Sequence, residues 1–402
     1  MNNSLLTNTL TGIICLIIIS GCSSPYKKGS FGYDLDFLKK YKRITVLKRN
    51  SDRCQVILVG DYQGRVMTST SNGLSGNSYG WINYDLISSG KIQPHINVFG
   101  GEDRFWLGPE GGQFSIFFKK GTSFDFKNWY TPSAIDTEPF ELIEYTDTSA
   151  LFNKKIRLVN YQDTEFNIEV TREVLLLSNR DIEKNLQISL GDDISCVAFQ
   201  TKNGIKNIGE SDWSKRTGLL SIWILGMFRP SDNTTVVIPY RGCLKLNTEY
   251  FGKIGEDRLK VKGQTIFFRG DGKYRCKIGV KPENCLPFFG SYDSERKILT
   301  VIQYSLSGDT TYVNSLWKYQ EHPYRGDAIN SYNDGPIDES GNQLGPFYEL
   351  ESSSCSRELR VGEEIKHTHT TYHFEGREEK LNQIAEKILG VGLKEIGLVF
   401  QN

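Results

Sequence analysis

Two stretches of this 402-residue chain concentrate side chains able to move protons or hold a polar ligand. The first, "HINVFGGEDRFWLGPEGGQFSIFF" (95–118), sets His95, Glu102, Asp103, Arg104, Trp106 and Glu110 among two Gly-Gly pairs. Glycines let a backbone approach a ligand closely, and a plain turn needs none of the charged groups beside them. The competing reading is an Arg104–Glu102 or Arg104–Glu110 ion pair that pins a loop over the core. The second stretch, "GPFYELESSS", carries Glu349 and Glu351, two residues apart and therefore on one face of a strand. A carboxylate working with an imidazole suits acid–base chemistry, because both titrate near neutral pH in a cleft. "HTHTTYHF" places His367, His369 and His373 on one strand face. His-x-His at this pitch could chelate zinc, but a strand surface accounts for the pattern more simply. No metal site is assigned, and His369 is kept as a candidate ligand contact.

These residues need a scaffold, and the pattern around them is β almost throughout. "RITVLKRN", "CQVILVGD", "GRVMTSTS", "GQFSIFFK", "FELIEYTD", "ALFNKKIRLVNY" and "FNIEVTREVLLLS" alternate or run apolar between Asp, Gly and Asn breaks. "TTVVIPY", "QTIFFRG", "YRCKIGV" and "ILTVIQYSL" continue the series. More than a dozen such segments predict a large antiparallel sandwich. "YDLDFLKKY" reads as a short N-terminal helix, and "REEKLNQIAEKILG" as a C-terminal one stopped by Gly390. No linker composition divides the chain, so one domain is expected over 33–402.

Forty-eight basic residues balance forty-eight acidic ones. That neutrality argues against a nucleic-acid partner and against docking on anionic lipid by charge alone. At the N-terminus, "LTGIICLIIISGC" looks like a bacterial lipobox: a signal peptide over 1–21, then a lipidated Cys22 and a tether over 22–32. The apolar run is short for a bilayer span. The expected location is the bacterial cell envelope, with lipid as the membrane partner and Ser23 fitting outer-membrane sorting. Of the six cysteines beyond Cys22, Cys276 and Cys285 bracket a turn-rich loop and form the first pairing to test.

Three blocks give the chain a resemblance to the galactose mutarotase-like (aldose 1-epimerase) superfamily, through a bacterial lipoprotein branch. "VGDYQGRVMTSTSNGLSGNSYGWIN" is similar to its opening hairpin, and "NVFGGEDRFWLGPEGGQ" to its Gly-Gly segment. "GPFYELESSSCSRELRVGEEIKHTHTTYHF" is similar to its C-terminal strand pair, with Val361 where a proline usually stands. The resemblance implies an all-β supersandwich with a carbohydrate-binding cleft across one sheet and no metal or organic cofactor. It implies a base at Glu349, with Glu351 as the alternative. The mid-chain histidine that serves as acid in mutarotases is missing, which leaves His95 as the candidate and favours a binding protein over an isomerase. Trp106 would then face a sugar ring, with Glu102, Arg104 and Glu110 on its hydroxyls and Trp81 and Asn83 at the margin. A structural envelope lipoprotein is the third possibility.

Overall fold

The computed structural model describes residues 24–337 and 341–401. Cys22 and the expected signal peptide lie outside them. In chain order the elements begin α1 (Phe31–Tyr41), β1 (Ile44–Arg49), β2 (Cys54–Val59), β3 (Arg65–Thr70), α2 (Tyr84–Ser89) and β4 (Arg104–Gly108). Next come β5 (Glu141–Tyr145), β6 (Ser149–Val159), β7 (Glu165–Leu176), α3 (Asn179–Leu186), β8 (Ile194–Asn207), β9 (Ser221–Phe228) and β10 (Thr234–Pro239). The short β11 (Leu246–Asn247) and β12 (Leu259–Lys262) lead to β13 (Thr265–Arg269), β14 (Cys276–Val280), β15 (Phe288–Asp293) and β16 (Ile298–Tyr304). The chain closes with β17 (Ile329–Asn333), β18 (Tyr348–Ser353), β19 (Glu364–Gly376), α4 (Glu378–Leu389) and α5 (Leu393–Leu398).

The strands form a ten-stranded sheet (β12-β13-β10-β15-β16-β19-β8-β7-β6-β5), a six-stranded sheet (β11-β14-β17-β18-β9-β4) and a three-stranded one (β1-β2-β3). The period-2 alternation of β7, buried at every second residue, marks a strand with one face on the core and one in water. In β18 both faces are covered. Its even-numbered side chains meet the ten-stranded sheet: the Tyr348 hydroxyl lies 2.9 Å from Ser291 Oγ, and Ser352 Oγ lies 2.8 Å from both His367 Nε2 and His369 Nδ1. Its odd-numbered side chains, Glu349 and Glu351, are left for the opposite face. α4 covers the ten-stranded sheet with Leu381, Ile384, Ala385 and Leu389, and Gly390 ends it at φ +70°.

Two expectations fail here. "GQFSIFFK" is not a strand: 111–120 is irregular apart from a bridge between Phe118 and Trp129. Phe114, Ile116, Phe117 and Phe118 are all buried, and a segment that turns consecutive side chains inward cannot keep strand alternation. The Cys276–Cys285 pairing is also absent. Both thiols are buried and free, with Cys276 Sγ directed at Tyr274 O and Cys285 Sγ at Lys281 O.

Between the two large sheets lies a buried polar layer. Arg172 pairs with Asp103 at 2.6 Å, both fully buried, and also donates to Asn203 and Gly64. Burial pushes His367 down to about 3 and His369 down to about 4 from an ordinary 6.5, so both are neutral when folded. A folded pKa below the unfolded one contributes stability that is complete above about pH 6.5 and drains away as pH falls toward the folded values. Relative to a chain lacking both imidazoles, denaturant midpoints should therefore drop between about pH 6.5 and 5. A His367→Gln/His369→Gln double variant should flatten that slope; an unchanged slope in the variant would contradict the assignment.

Candidate functional site

The exposed-side face of the six-stranded sheet is the floor of a cavity of about 520 Å³. Register puts its side chains in rows. Met227 on β9, Glu349 on β18, Tyr332 on β17 and Lys277 on β14 stand opposite one another in turn. In the next row, Arg104 faces Leu225, Leu225 faces Glu351, and Glu351 faces Asn330. Loops raise the walls, with Phe126, Trp129, Leu316 and Trp317 joined by Tyr250, Phe251 and Phe347. Trp106 packs edge-on against Trp223, with ring centroids 5.4 Å apart, and Trp129 stacks on Trp317 at 5.6 Å.

On this floor the carboxyl groups are not equivalent. Glu351 Oε2 accepts from Trp223 Nε1 and from Lys277 Nζ, each at 2.9 Å. Glu351 Oε1 is buried and has no donor among the described groups unless Glu349 carries a proton. Burial and the neighbouring Glu351 charge push Glu349 well above the carboxylate range, and a hydrogen bond with Glu351 holds its proton there. Two carboxyls this close share one proton. Lys277 stays charged: burial would lower it, but Glu351, Glu110 and Glu349 together raise it. Its ammonium also lies 4.7 Å from the Trp223 ring centroid. Burial brings Glu110 up to about 7, against the pull of Lys277 and a hydrogen bond from Trp317. The cavity thus holds carboxyl groups poised both to give and to accept protons.

Arg104 lies with its guanidinium carbon 3.9 Å from the Trp106 ring centroid and its Nη2 2.8 Å from Asp136 Oδ1. Its Nε and Nη1, like Trp106 Nε1, are buried with no partner among the described residues. Asp136, rather than Glu102 or Glu110, is therefore the counter-ion that fixes it. Unpartnered donors at a cavity wall are expensive unless a ligand or water satisfies them.

Of the residues singled out in the sequence, Arg104, Trp106, Glu110 and Glu349 line this one cavity, and Glu351 braces it from behind. Glu102 does not belong to it: fully buried, it accepts from Ser69 Oγ at 2.9 Å and meets His373 Nε2 at 2.8 Å beneath the sheet. Strand alternation does not govern this pair, since Glu102 and Asp103 precede β4, and their backbone amides both donate to Val66 O on β3 while both side chains turn toward the interior. His369 is buried between the sheets, bonded to Ser352, and does not reach the cleft. His95 sits outside the cavity, its Nδ1 2.6 Å from Trp129 O and its ring stacked on Tyr130. Asn83 caps α2 by accepting from Leu86 N. Trp81 buttresses the cleft wall through Phe347, with ring centroids 4.9 Å apart. Lys277, Trp223, Tyr332, Trp129 and Trp317 were not anticipated. Lys277 was the findable one, a lone cation inside the apolar strand "CKIGV".

The chain belongs to a family of unknown function, DUF6786, whose model matches residues 29–400. No match was found among curated proteins. Among solved structures, the chain is similar to an Escherichia coli K12 protein provisionally assigned as an aldose 1-epimerase, at TM-score 0.51 and 9% identity, covering 83% of this chain and 99% of that one. It is similar to the Slr1438 protein of Synechocystis sp. PCC 6803 at TM-score 0.50 and 12% identity, covering 84% and 96%. A galactose mutarotase-like protein of Lactobacillus casei ATCC 334 aligns at TM-score 0.48 and 9% identity, covering 82% and 100%. The fold is that of the galactose mutarotase-like proteins.

Proposed function

We propose that this protein binds a carbohydrate in the cleft over the six-stranded sheet. The observation that carries this reading is the meeting of indole faces (Trp106, Trp129, Trp317) with a carboxyl pair and unpartnered buried donors in one cavity. Apolar ring faces suit the C–H surfaces of a sugar, and charged hydrogen-bonding groups suit its hydroxyls. Screening a glycan array and then titrating the best ligand tests it. Trp317 is the residue to remove, because it is half-buried on the wall whereas Trp106 is also a core residue. Trp317→Ala should weaken binding by about tenfold or more, from lost apolar contact on the order of 1.5–3 kcal/mol. Unchanged affinity in that variant would count against the cleft.

A second reading, anomeric isomerisation, is favoured by the Glu349–Glu351 pair. Opening a sugar ring requires a proton to reach the ring oxygen while another leaves the anomeric hydroxyl. The imidazole usual for one of these roles has no counterpart among the described residues of the cavity, but a protonated carboxyl serves equally. Glu349, neutral and facing the cleft, is then the donor. The acceptor is Glu351 behind it or Glu110 on the wall. This reverses the base role that the sequence resemblance implies for Glu349.

The same proposal includes an envelope location, with a signal peptide over 1–21, a lipid on Cys22 and the folded domain held at the membrane by its acyl chains. Cys22→Ala should move the protein from the membrane fraction to unprocessed or soluble material. Normal anchoring of the variant would remove this part of the reading.

A further inference from the structure

We infer that the sugar taken by this cleft is acidic, with a carboxylate received by Arg275. The inference rests on the carbohydrate reading and deepens it. Charge pairing in the cavity is its basis. Lys277 is matched by Glu351, Lys318 by Glu249 and Arg104 by Asp136, each within 3 Å. Glu349 is neutral. Arg275 alone among the cavity's cations makes no ion pair and donates no side-chain hydrogen bond among the described residues, and its buried Nε has no partner.

Its position is held rather than adrift. The guanidinium carbon stacks 4.1 Å from the Phe251 ring centroid, and the residue stands just before β14, two positions from Lys277 and on the same strand face. Glu110 and Asp334 feel its charge without pairing with it. A planar fork fixed on an aromatic face, with its donors free, is the arrangement that receives a carboxylate in two parallel hydrogen bonds. From the Glu349 position to Arg275 is two strands across and one pair of residues along, roughly 12 Å between Cα atoms. The length of the arginine side chain reduces that to the span of a monosaccharide. A sugar whose anomeric carbon meets Glu349 therefore presents its far end, where a uronic acid carries its carboxylate, to Arg275.

The test is calorimetric titration of the protein with methyl glucuronide, methyl galacturonide, their neutral methyl glycosides and galactose 6-sulfate, at low and high salt. The expected result is that a uronide binds at least about tenfold tighter than its neutral counterpart, in a salt-sensitive manner. Arg275→Gln should bring that uronide down toward the neutral affinity, a loss several times larger than any it causes for the neutral sugar. Arg275→Lys, which keeps the charge without the fork, should restore only part of the difference. Equal binding of neutral and acidic sugars, unmoved by Arg275→Gln, would overturn the inference and leave the carbohydrate reading standing. Preference for the sulfate over both uronides would overturn the carboxylate assignment. Binding of none of the probes would overturn the inference and count against the carbohydrate reading together.

Discussion

On the isomerase reading, replacing Glu349 by Gln should slow aldose interconversion in the cleft by about 10²- to 10⁴-fold, the usual loss when a positioned proton donor or acceptor is removed. Sugar affinity should change far less, because the indole faces and Arg104 are untouched. The size of the effect follows from the floor geometry. Glu351 accepts from Trp223 and Lys277, and burial together with Glu351 raises Glu349 well above the usual carboxylate range. Gln keeps the shape and can still donate an N–H to Glu351, but it cannot release a proton. The donor role also sets a pH sign: activity should be retained while Glu349 stays protonated and fall as pH rises through its elevated pKa. Polarimetry on a panel of aldoses reads both. Activity that survives the substitution undiminished would move the donor role to Glu110; absence of any interconversion in the wild type would leave the cleft as a binding site.

Asp103→Ala should cost about 3–5 kcal/mol of stability, the largest single loss predicted for this chain. Asp103 and Arg172 are both fully buried at 2.6 Å, and Asp103 also accepts from Thr201 at 2.9 Å. Removing the carboxylate leaves a buried guanidinium facing an apolar methyl, with no solvent to screen it. The pair joins β7 of the ten-stranded sheet to the entry of β4, so the loss should also loosen the edge that carries Arg104 and Trp106. An Asp103→Leu/Arg172→Met double variant, with no charge left to strand, should recover much of the loss. Urea unfolding measures both; a loss under about 1 kcal/mol in Asp103→Ala would mean the pair is solvated.

The contrast between Glu102 and Glu110 shows how far sequence reasoning carries. Strand alternation correctly put Glu349 and Glu351 on one face, because a two-residue period is a local property of the backbone. The polar density of 95–118 was equally visible, but its division was not. Glu102 and Asp103 supply the layer between the sheets, while Arg104, Trp106 and Glu110 supply the cleft. That split depends on which sheet β4 joins, a pairing with β9 more than a hundred residues away. The same holds for His367, His369 and His373: their shared face was legible, their burial against Ser352 and Glu102 was not. Lys277 and Trp223 enter the cleft only because β14, β17, β18 and β9 lie side by side. The strand reading of 112–119 failed because tertiary burial of neighbouring side chains overrode a local alternation.

The most direct test of a sugar site over the carboxyl pair is a crystal structure of the protein with the best ligand from the glycan array. The prediction is a sugar ring lying against Trp106, Trp129 or Trp317, with its anomeric oxygen within hydrogen-bond reach of Glu349. Density for the sugar elsewhere, such as the groove between β1 and β5 lined by Ile44, Val46 and Leu142, with the cleft holding only water, would contradict it.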